Sequence, residues 1–199
     1  IVNQADSKDS TATGLTIKVT AVRALQDGTV VGADLVVGVE TVATLTGRDA
    51  TKLTDSLKAR VAAVDEKIAP LSARPTVFYE VDATDPSKPY TSGPGTFIDL
   101  LIGRAGGQNV VTLAGITDMY PQISLEQLVI APPDIILLGD ALYGQSAETV
   151  AIRPGWDSLK AVIDGNIFPF DDNLVSRPGP RLVDGLEALA KLVHPEVFK

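Results

Sequence analysis

The clearest periodic pattern along the chain is an apolar stripe between Asp49 and Ala69. Its members recur at spacings of three and four residues: Leu53, Leu57, Val61, Val64 and Ile68. Such spacing places side chains on one face of a helix, and Gly47 before the segment and Pro70 after it mark both ends. The pattern predicts a helix roughly 30 Å long, enough to run the length of a two-lobed molecule.

The residues before this helix give a weaker signal. Thr16–Thr20 alternate in character and predict a short strand. Asp27–Thr46 is rich in valine and contains three glycines, which favours strand or loop by propensity. Its apolar residues nevertheless fit a helical stripe that Asp27 could cap, so we interpret it as a helix. The members of that stripe are Val30, Val31, Leu35, Val39, Val42 and Leu45.

After Pro75 the pattern changes to short apolar runs that alternate with helical segments. Strands are predicted over Thr76–Val81, Asp134–Leu138 and Asn166–Phe170, and helices over Pro94–Ala105, from Ser124 to the Pro132-Pro133 pair, over Trp156–Ile163 and over Pro180–Val193. Ser124 and Gln127 form a capping-box pattern, and the run at 134–138 is apolar enough for a strand covered on both faces. The alternation predicts an α/β sandwich around a mostly parallel sheet.

Composition excludes several kinds of function. The net charge is −8, and an acidic surface repels phosphate backbones, so we expect no nucleic-acid partner. The chain has no cysteine and one histidine, His194, so it cannot build a thiolate site or a histidine-rich metal centre. We expect no metal and no cofactor, and we interpret His194 as an exposed or helix-capping residue.

Catalytic motifs are also lacking. There is no G-x-S-x-G, and the lone histidine is poorly placed for a triad. The turn Thr91–Thr96 opens a helix but matches no phosphate-binding motif, so tight-turn geometry explains its glycines better than anion binding. Asp171 and Asp172 could pair as acid and base, although adjacent acids usually mark a solvated turn. We therefore predict that the chain is not an enzyme.

The tyrosines point to a binding crevice. Tyr79, Tyr90, Tyr120 and Tyr143 all fall at or just after predicted strand ends. In open α/β sheets the loops beyond the carboxyl ends of the strands form the ligand crevice. A tyrosine there offers a flat apolar face and a polar tip, which suits a large, partly polar ligand. For any one of them a place at the boundary of the core explains the residue equally well.

Three groups of residues, in this order and spacing, resemble a known family. They are Tyr90-Thr91-Ser92-Gly93-Pro94-Gly95-Thr96-Phe97-Ile98 with Ala105-Gly106-Gly107-Gln108-Asn109, then Tyr120-Pro121-Gln122-Ile123-Ser124-Leu125-Glu126, then Ser176-Arg177-Pro178-Gly179-Pro180-Arg181-Leu182. Together with Leu45-Thr46-Gly47-Arg48 they resemble the helix-linked periplasmic substrate-binding proteins of ABC importers that capture cobalamin, haem or iron–siderophore complexes. The resemblance covers roughly residues 13–199.

The resemblance implies two Rossmann-like lobes joined by one long helix, with the ligand in the cleft between them. Residues 1–48 would then be a partial first lobe, 49–70 the interlobe helix and 71–199 the second lobe, a three-layer sandwich. The family's opening strand and first ligand-binding loops are not visible, so we expect a truncated first lobe. The truncated chain would self-associate through its uncovered front segment.

The resemblance also assigns roles to residues. Tyr90, Tyr120 and the loop from Asn173 to Arg177 match positions that line the family's cleft and would bind the ligand, with Arg177 as the best candidate for a carboxylate or amide contact. Tyr79 is added to these ligand-binding residues because of its place near a predicted strand end. Glu126 would dock on the membrane permease. Trp156 is interpreted as core, and Arg181 is expected to pair with Asp184 or a loop acid.

The predicted function is therefore the substrate-binding component of an importer. Its partners would be a permease–ATPase complex and a large chelate or corrinoid-like ligand. It would lie in the periplasm or outside the cell, with a lipoprotein anchor as one form. The alternative is a non-transport module of similar fold, an enzyme scaffold or a ligand sensor.

Overall fold

The computed structural model describes residues 30–177 and 179–198. Two helices open this part of the chain: α1 spans Val30–Thr46 and α2 spans Thr51–Ile68. The helical interpretation of the valine-rich segment is therefore confirmed from Val30 onward. The strand predicted over Thr16–Thr20 and the start of the helix at Asp27 lie outside the described residues.

Helix α2 packs through one face, as its spacing predicted. Thr54, Leu57, Val61, Val64 and Ile68 are buried, whereas Leu53, the first member of the predicted stripe, is exposed. Two arginines fix the helix to its neighbours. Arg60 donates to Asp184 and Glu187 at 2.6 to 2.8 Å, and Arg104 donates to both carboxylate oxygens of Asp65 at 2.7 and 2.9 Å.

Within the part of the chain that the structure describes, the sheet has five strands, and its central pairs are parallel. The strands are β1 (Thr76–Asp82), β2 (Tyr90–Thr91), β3 (Gln108–Asn109), β4 (Ile135–Leu138) and β5 (Ile167–Pro169). The order is β2-β1-β4-β5, with β3 also beside β1. Strands β3, β4 and β5 run parallel to their neighbours, and β2 is antiparallel to β1. The predicted parallel pairing of the strands near 76–81 and 134–138 is confirmed.

Helices cover both faces of this sheet, which gives three layers. The remaining helices are α3 (Phe97–Arg104), α4 (Val110–Leu113), α5 (Leu125–Ile130), α6 (Ala147–Ala151), α7 (Lys160–Ile163) and α8 (Leu182–Val193). Successive side chains of a strand point to opposite faces of the sheet, so the core consists of two separate clusters. Val77 and Tyr79 pack with residues of α2, α3 and α8, and Phe78 packs with residues of α4 to α7. The strands can carry apolar side chains on both faces because helices cover both faces of the sheet.

Local chemistry explains where predicted helices were too long. Helix α3 starts at Phe97 because Thr96 caps it, its hydroxyl accepting from the Asp99 amide. The helix predicted over Trp156–Ile163 is broken. A 3-10 turn at Trp156–Ser158 ends at Leu159, whose extended backbone separates it from α7. The short elements β2, β3, α4 and α6 were not predicted, because two to five residues carry no measurable period.

Three individual expectations can be compared with the structure. Trp156 is buried, as predicted. His194 does end α8, but it is buried and contacts the Gly106 carbonyl and Glu196, so the expectation of an exposed histidine is wrong. Asp184 pairs with Arg60 of α2 instead of with Arg181, because α8 packs beside α2 and Arg60 reaches both Asp184 and Glu187 of α8.

Candidate functional site

The candidate site lies at the carboxyl edge of the sheet. Strands β1, β4 and β5 are parallel, so their carboxyl ends meet along one edge. The segments that follow them, residues 83–89, 139–146 and 170–177, form the rim of that edge. In an open α/β sheet this is where ligands bind. We define this rim as the carboxyl edge.

Tyr90 and Tyr120 lie on the same surface beside this edge. Tyr90 opens β2 opposite Asp82, the last residue of β1. Backbone hydrogen bonds align residues 119–123 antiparallel to residues 89–93, and Tyr90 is bridged to Gln122. Opposite residues share a face in this pairing, and their next-but-one neighbours lie about 7 Å away. The two tyrosines, both about half exposed, therefore present neighbouring aromatic side chains to solvent.

Tyr79 does not lie where the sequence predicted. It sits inside β1, not at its end, and is fully buried. Its hydroxyl donates to Asp172 at 3.0 Å, and its ring packs edge to face on Phe170. Burial, followed by the neighbouring Asp172 carboxylate, raises the pKa of this phenol. Tyr79 therefore stays neutral and holds the loop after β5 from below.

The loop after β5 contains the two other predicted contacts. Asp171 caps a short 3-10 helix, Asp172–Leu174, and accepts from both the amide and the side chain of Asn173. Asn173 is partly exposed and Arg177 is exposed. The structure thus brings Asn173 and Arg177 to the same rim, anchored by the Tyr79–Asp172 hydrogen bond.

A buried charged cluster lies beneath the edge and was missed by sequence reasoning. Arg153 donates to both carboxylate oxygens of Glu80, at 2.5 and 2.8 Å, and to the Gln145 side chain at 2.8 Å. Its guanidinium lies 4.6 Å from the centre of the Trp156 ring. Glu80 and Arg153 are both buried. A glutamate inside the otherwise apolar strand TVFYEVD was the available signal, because a buried acid requires a partner.

Asp140 adds a second acid to this cluster. One of its carboxylate oxygens accepts from the Ala83 amide at 2.9 Å, which joins the segments after β1 and β4. The other oxygen, Oδ1, is buried with no hydrogen-bond partner among the described residues. Burial and the Glu80 charge raise the pKa of Asp140 to about 6, against the opposing effects of the Ala83 amide and Arg153.

Glu126 is exposed near the same edge, as predicted. Helix α5 leads into β4 and so runs back across the sheet, which places its first turn at the carboxyl side. The capping box of Ser124 and Gln127 is present. A hydrogen bond with Ser124 lowers the pKa of Glu126. The residue therefore offers solvent a fixed negative charge at neutral pH.

An open depression of about 800 Å³ lies elsewhere, beside α2, α3 and α4. Its lining includes Asp65, Arg104 and Asn109, which are engaged in hydrogen bonds with neighbouring residues. None of the predicted ligand-binding residues lines it. Within the described residues, no three or more His, Cys, Asp or Glu side chains are grouped to hold a metal, and no helix is long and apolar enough to cross a membrane.

The fold is an α/β sandwich with an open carboxyl edge, and comparison with known proteins gives its family. The family model described as periplasmic binding protein matches residues 3–174. The chain belongs to this family.

Relatives of known name match the chain over most of its length. It is 32% identical over 160 residues to a cobalamin-binding protein of Halobacterium salinarum, covering 77% of this chain and 42% of that protein. It is 32% identical over 154 residues to the uncharacterised ABC transporter substrate-binding lipoprotein YvrC of Bacillus subtilis, covering 76% of this chain and 46% of that protein. The chain thus spans less than half the length of these relatives.

A solved structure supports the same fold. The periplasmic heme-binding protein RhuT from Roseiflexus sp. RS-1 superposes with a TM-score of 0.70 at 25% identity, covering 80% of this chain and 62% of that one. The predicted Rossmann-like sandwich with a mostly parallel sheet is confirmed.

Proposed function

We propose that this chain is part of the extracytoplasmic substrate-binding component of an ABC importer. Residues 1–48 would contribute to a first lobe, 49–70 the interlobe helix and 71–199 the second lobe. The observation that carries the proposal is the pair of exposed aromatic side chains, Tyr90 and Tyr120, beside the carboxyl edge of a family fold. Arg177 and Asn173 supply polar contacts on the same rim.

The ligand is a large, flat or chelated molecule: a corrinoid, a haem or an iron–siderophore complex. Two flat phenol faces stack on such a ligand, and a guanidinium pairs with its carboxylate or amide groups. The relatives named for cobalamin and haem support this class. Tyr79 supports the ligand site from within the core. Its hydrogen bond to Asp172 fixes the loop that carries Asn173 and Arg177.

A ligand screen on the full-length gene product tests this proposal. Cyanocobalamin, haemin and ferrichrome are added separately, and thermal unfolding is followed. A ligand that binds only the native state raises the midpoint in proportion to its concentration. We expect one of the three classes to do so. No shift with any of them would reject the proposal.

Docking on the permease–ATPase complex is assigned to Glu126. Its charge is exposed, and salt bridges to permease arginines would form at the edge of the contact, where they steer association. We expect Glu126→Ala to lower uptake of the ligand from the screen while its affinity stays unchanged. The matched control is Glu66→Ala, an exposed acid on α2. Equal loss in both variants, or a loss of affinity in Glu126→Ala, would contradict the assignment.

A further inference from the structure

The depression beside α2, α3 and α4 is separate from the proposed ligand site. Its volume of about 800 Å³ lies in the range of small-molecule pockets. It follows α3 from Asp99 in the first turn to Gly103 and Arg104 at the end, and Leu100 and Leu113 add apolar surface. The depression thus offers a ligand both polar and apolar contacts, away from the residues assigned to the transported ligand and to the permease.

Asp99 presents a carboxylate to this depression, and the protein uses only one of its two oxygens. Oδ1 accepts from the Asn109 side chain at 2.9 Å and from the Thr112 hydroxyl at 3.2 Å. No residue in the described part of the chain donates to Oδ2, and this oxygen is open to solvent. Because two donors hold the carboxylate in place, Oδ2 is a pre-positioned acceptor.

The other charges of the lining leave this carboxylate without a cationic partner. Arg104 is the one basic residue of the lining, and its Nε and Nη2 donate to the two carboxylate oxygens of Asp65. Within the part of the chain that the structure describes, no Lys, Arg or His forms a salt bridge with Asp99. The carbonyl end of α3 at Gly103 adds a partial negative charge. The depression therefore favours a cation.

We propose that this depression binds a small organic amine with an apolar body. The ammonium group donates to Asp99 Oδ2, in a hydrogen bond between opposite charges that is stronger than a neutral one. The apolar body packs on Leu100 and on Leu113, which is 48% exposed, and so leaves water. This inference goes beyond the proposed function and does not rest on it.

Three compounds that share one apolar body test the charge preference. Benzylamine is a cation at pH 7, benzyl alcohol is neutral and benzoate is an anion. Saturation-transfer NMR on the full-length protein measures their dissociation constants. We expect benzylamine to bind saturably at about 1 mM, and the alcohol and benzoate to bind at least about tenfold more weakly. Equal binding of all three, or no saturable binding of benzylamine up to about 10 mM, would overturn the inference.

Substitutions locate the amine in the depression. Asp99→Asn removes the charge but keeps an acceptor oxygen for Asn109 and Thr112, and it should weaken benzylamine about tenfold while leaving benzyl alcohol unchanged. Leu113→Ala should weaken both compounds about threefold. The matched control is Asp157→Asn, an exposed acid outside the depression, which should change neither.

Thermal unfolding shows whether each variant folds. If Asp99→Asn fails to fold, Leu113→Ala decides, because its side chain is half exposed and little of the core depends on it. Unaltered benzylamine affinity in the folded variants, or an equal loss in Asp157→Asn, would contradict the assignment of the amine to this depression.

Discussion

At the scale of single residues, the buried cluster beneath the carboxyl edge controls how the rim is built. Glu80, Arg153 and Gln145 join β1 to the segment after β4, and Asp140 joins that segment to Ala83. The guanidinium pairs with Glu80, and the buried carboxylate of Asp140 adds a second negative charge nearby. Such a cluster fixes geometry at a cost in stability, because buried charges lose hydration that pairing only partly replaces.

Asp140 should make folding stability depend on pH. Its pKa of about 6 lies above the ordinary 3.8, so the native state holds a proton that the unfolded state has lost between those values. Stability from this group is therefore greatest below about pH 4 and falls as pH rises toward 6. We expect Asp140→Asn to raise the free energy of unfolding by about 1 to 2 kcal/mol at pH 7.5 and by almost nothing near pH 4. Urea unfolding at both pH values measures this, and the exposed Asp157→Asn is the control. A stabilisation equal at both pH values would contradict it.

Removing the Arg153 charge alone should lower the free energy of unfolding much more than removing it together with the Glu80 charge. Arg153→Met leaves the Glu80 carboxylate buried and unpaired, and we expect a loss of about 3 to 5 kcal/mol. Arg153→Met combined with Glu80→Leu removes both charges while keeping apolar volume, and should recover most of that loss. The denaturant midpoints of the two variants, each compared with that of the unaltered protein, measure these losses. If the double variant is as unstable as the single one, the cost comes from packing and not from the unpaired charge.

At the scale of elements, α2 is fixed to the helices that cover one face of the sheet. It buries one face against α3 and α8, and Arg60 and Arg104 fasten it on two sides. The helix that the resemblance assigns to the link between lobes thus has a fixed orientation relative to the sheet. Its apolar face, more than these partly exposed ion pairs, supplies the stability of the contact.

A pair of leucines on α2 tests this. Leu57 is 3% exposed and Leu53 is 44% exposed. We expect Leu57→Ala to lower the free energy of unfolding by about 2 to 4 kcal/mol, because it leaves a cavity in the core. Leu53→Ala, on the same helix, should cost under about 1 kcal/mol. Thermal unfolding of the 199-residue chain compares them, and similar losses would show that α2 is not packed as described.

The sequence predicted the long elements well, because each of them contains a repeated apolar pattern or a capping pair. The α2 stripe, the capping box at Ser124 and the apolar run before Gly139 each carry several residues of one period or a capping pair. Tyr79 shows where prediction from the local sequence fails. Its position in the strand was clear, but whether it faced a core or a cleft depended on Phe170 and Asp172, more than ninety residues away. The Glu80–Arg153 pair was missed for the same reason, since 73 residues separate its partners.

At the scale of the whole molecule, the proposed function makes the described residues one wall of a binding cleft. Tyr90 and Tyr120 present aromatic faces, the loop after β5 presents Asn173 and Arg177, and the cluster below keeps these segments in place. The chain spans less than half the length of its curated relatives. Ligand affinity must therefore be measured on the full-length gene product.

The most direct test is an equilibrium titration of the full-length protein with cyanocobalamin, haemin and ferrichrome, repeated for two tyrosine variants and one control variant. We predict that one ligand binds with a dissociation constant in the micromolar range or below, burying apolar and aromatic surface. Tyr90→Ala and Tyr120→Ala should each weaken it about tenfold, whereas Ile163→Ala, at the exposed end of α7 on the opposite edge of the sheet, should leave it unchanged. Binding of none of the three ligands, or unaltered affinity in both Tyr90→Ala and Tyr120→Ala, would contradict the assignment of this edge as the ligand site.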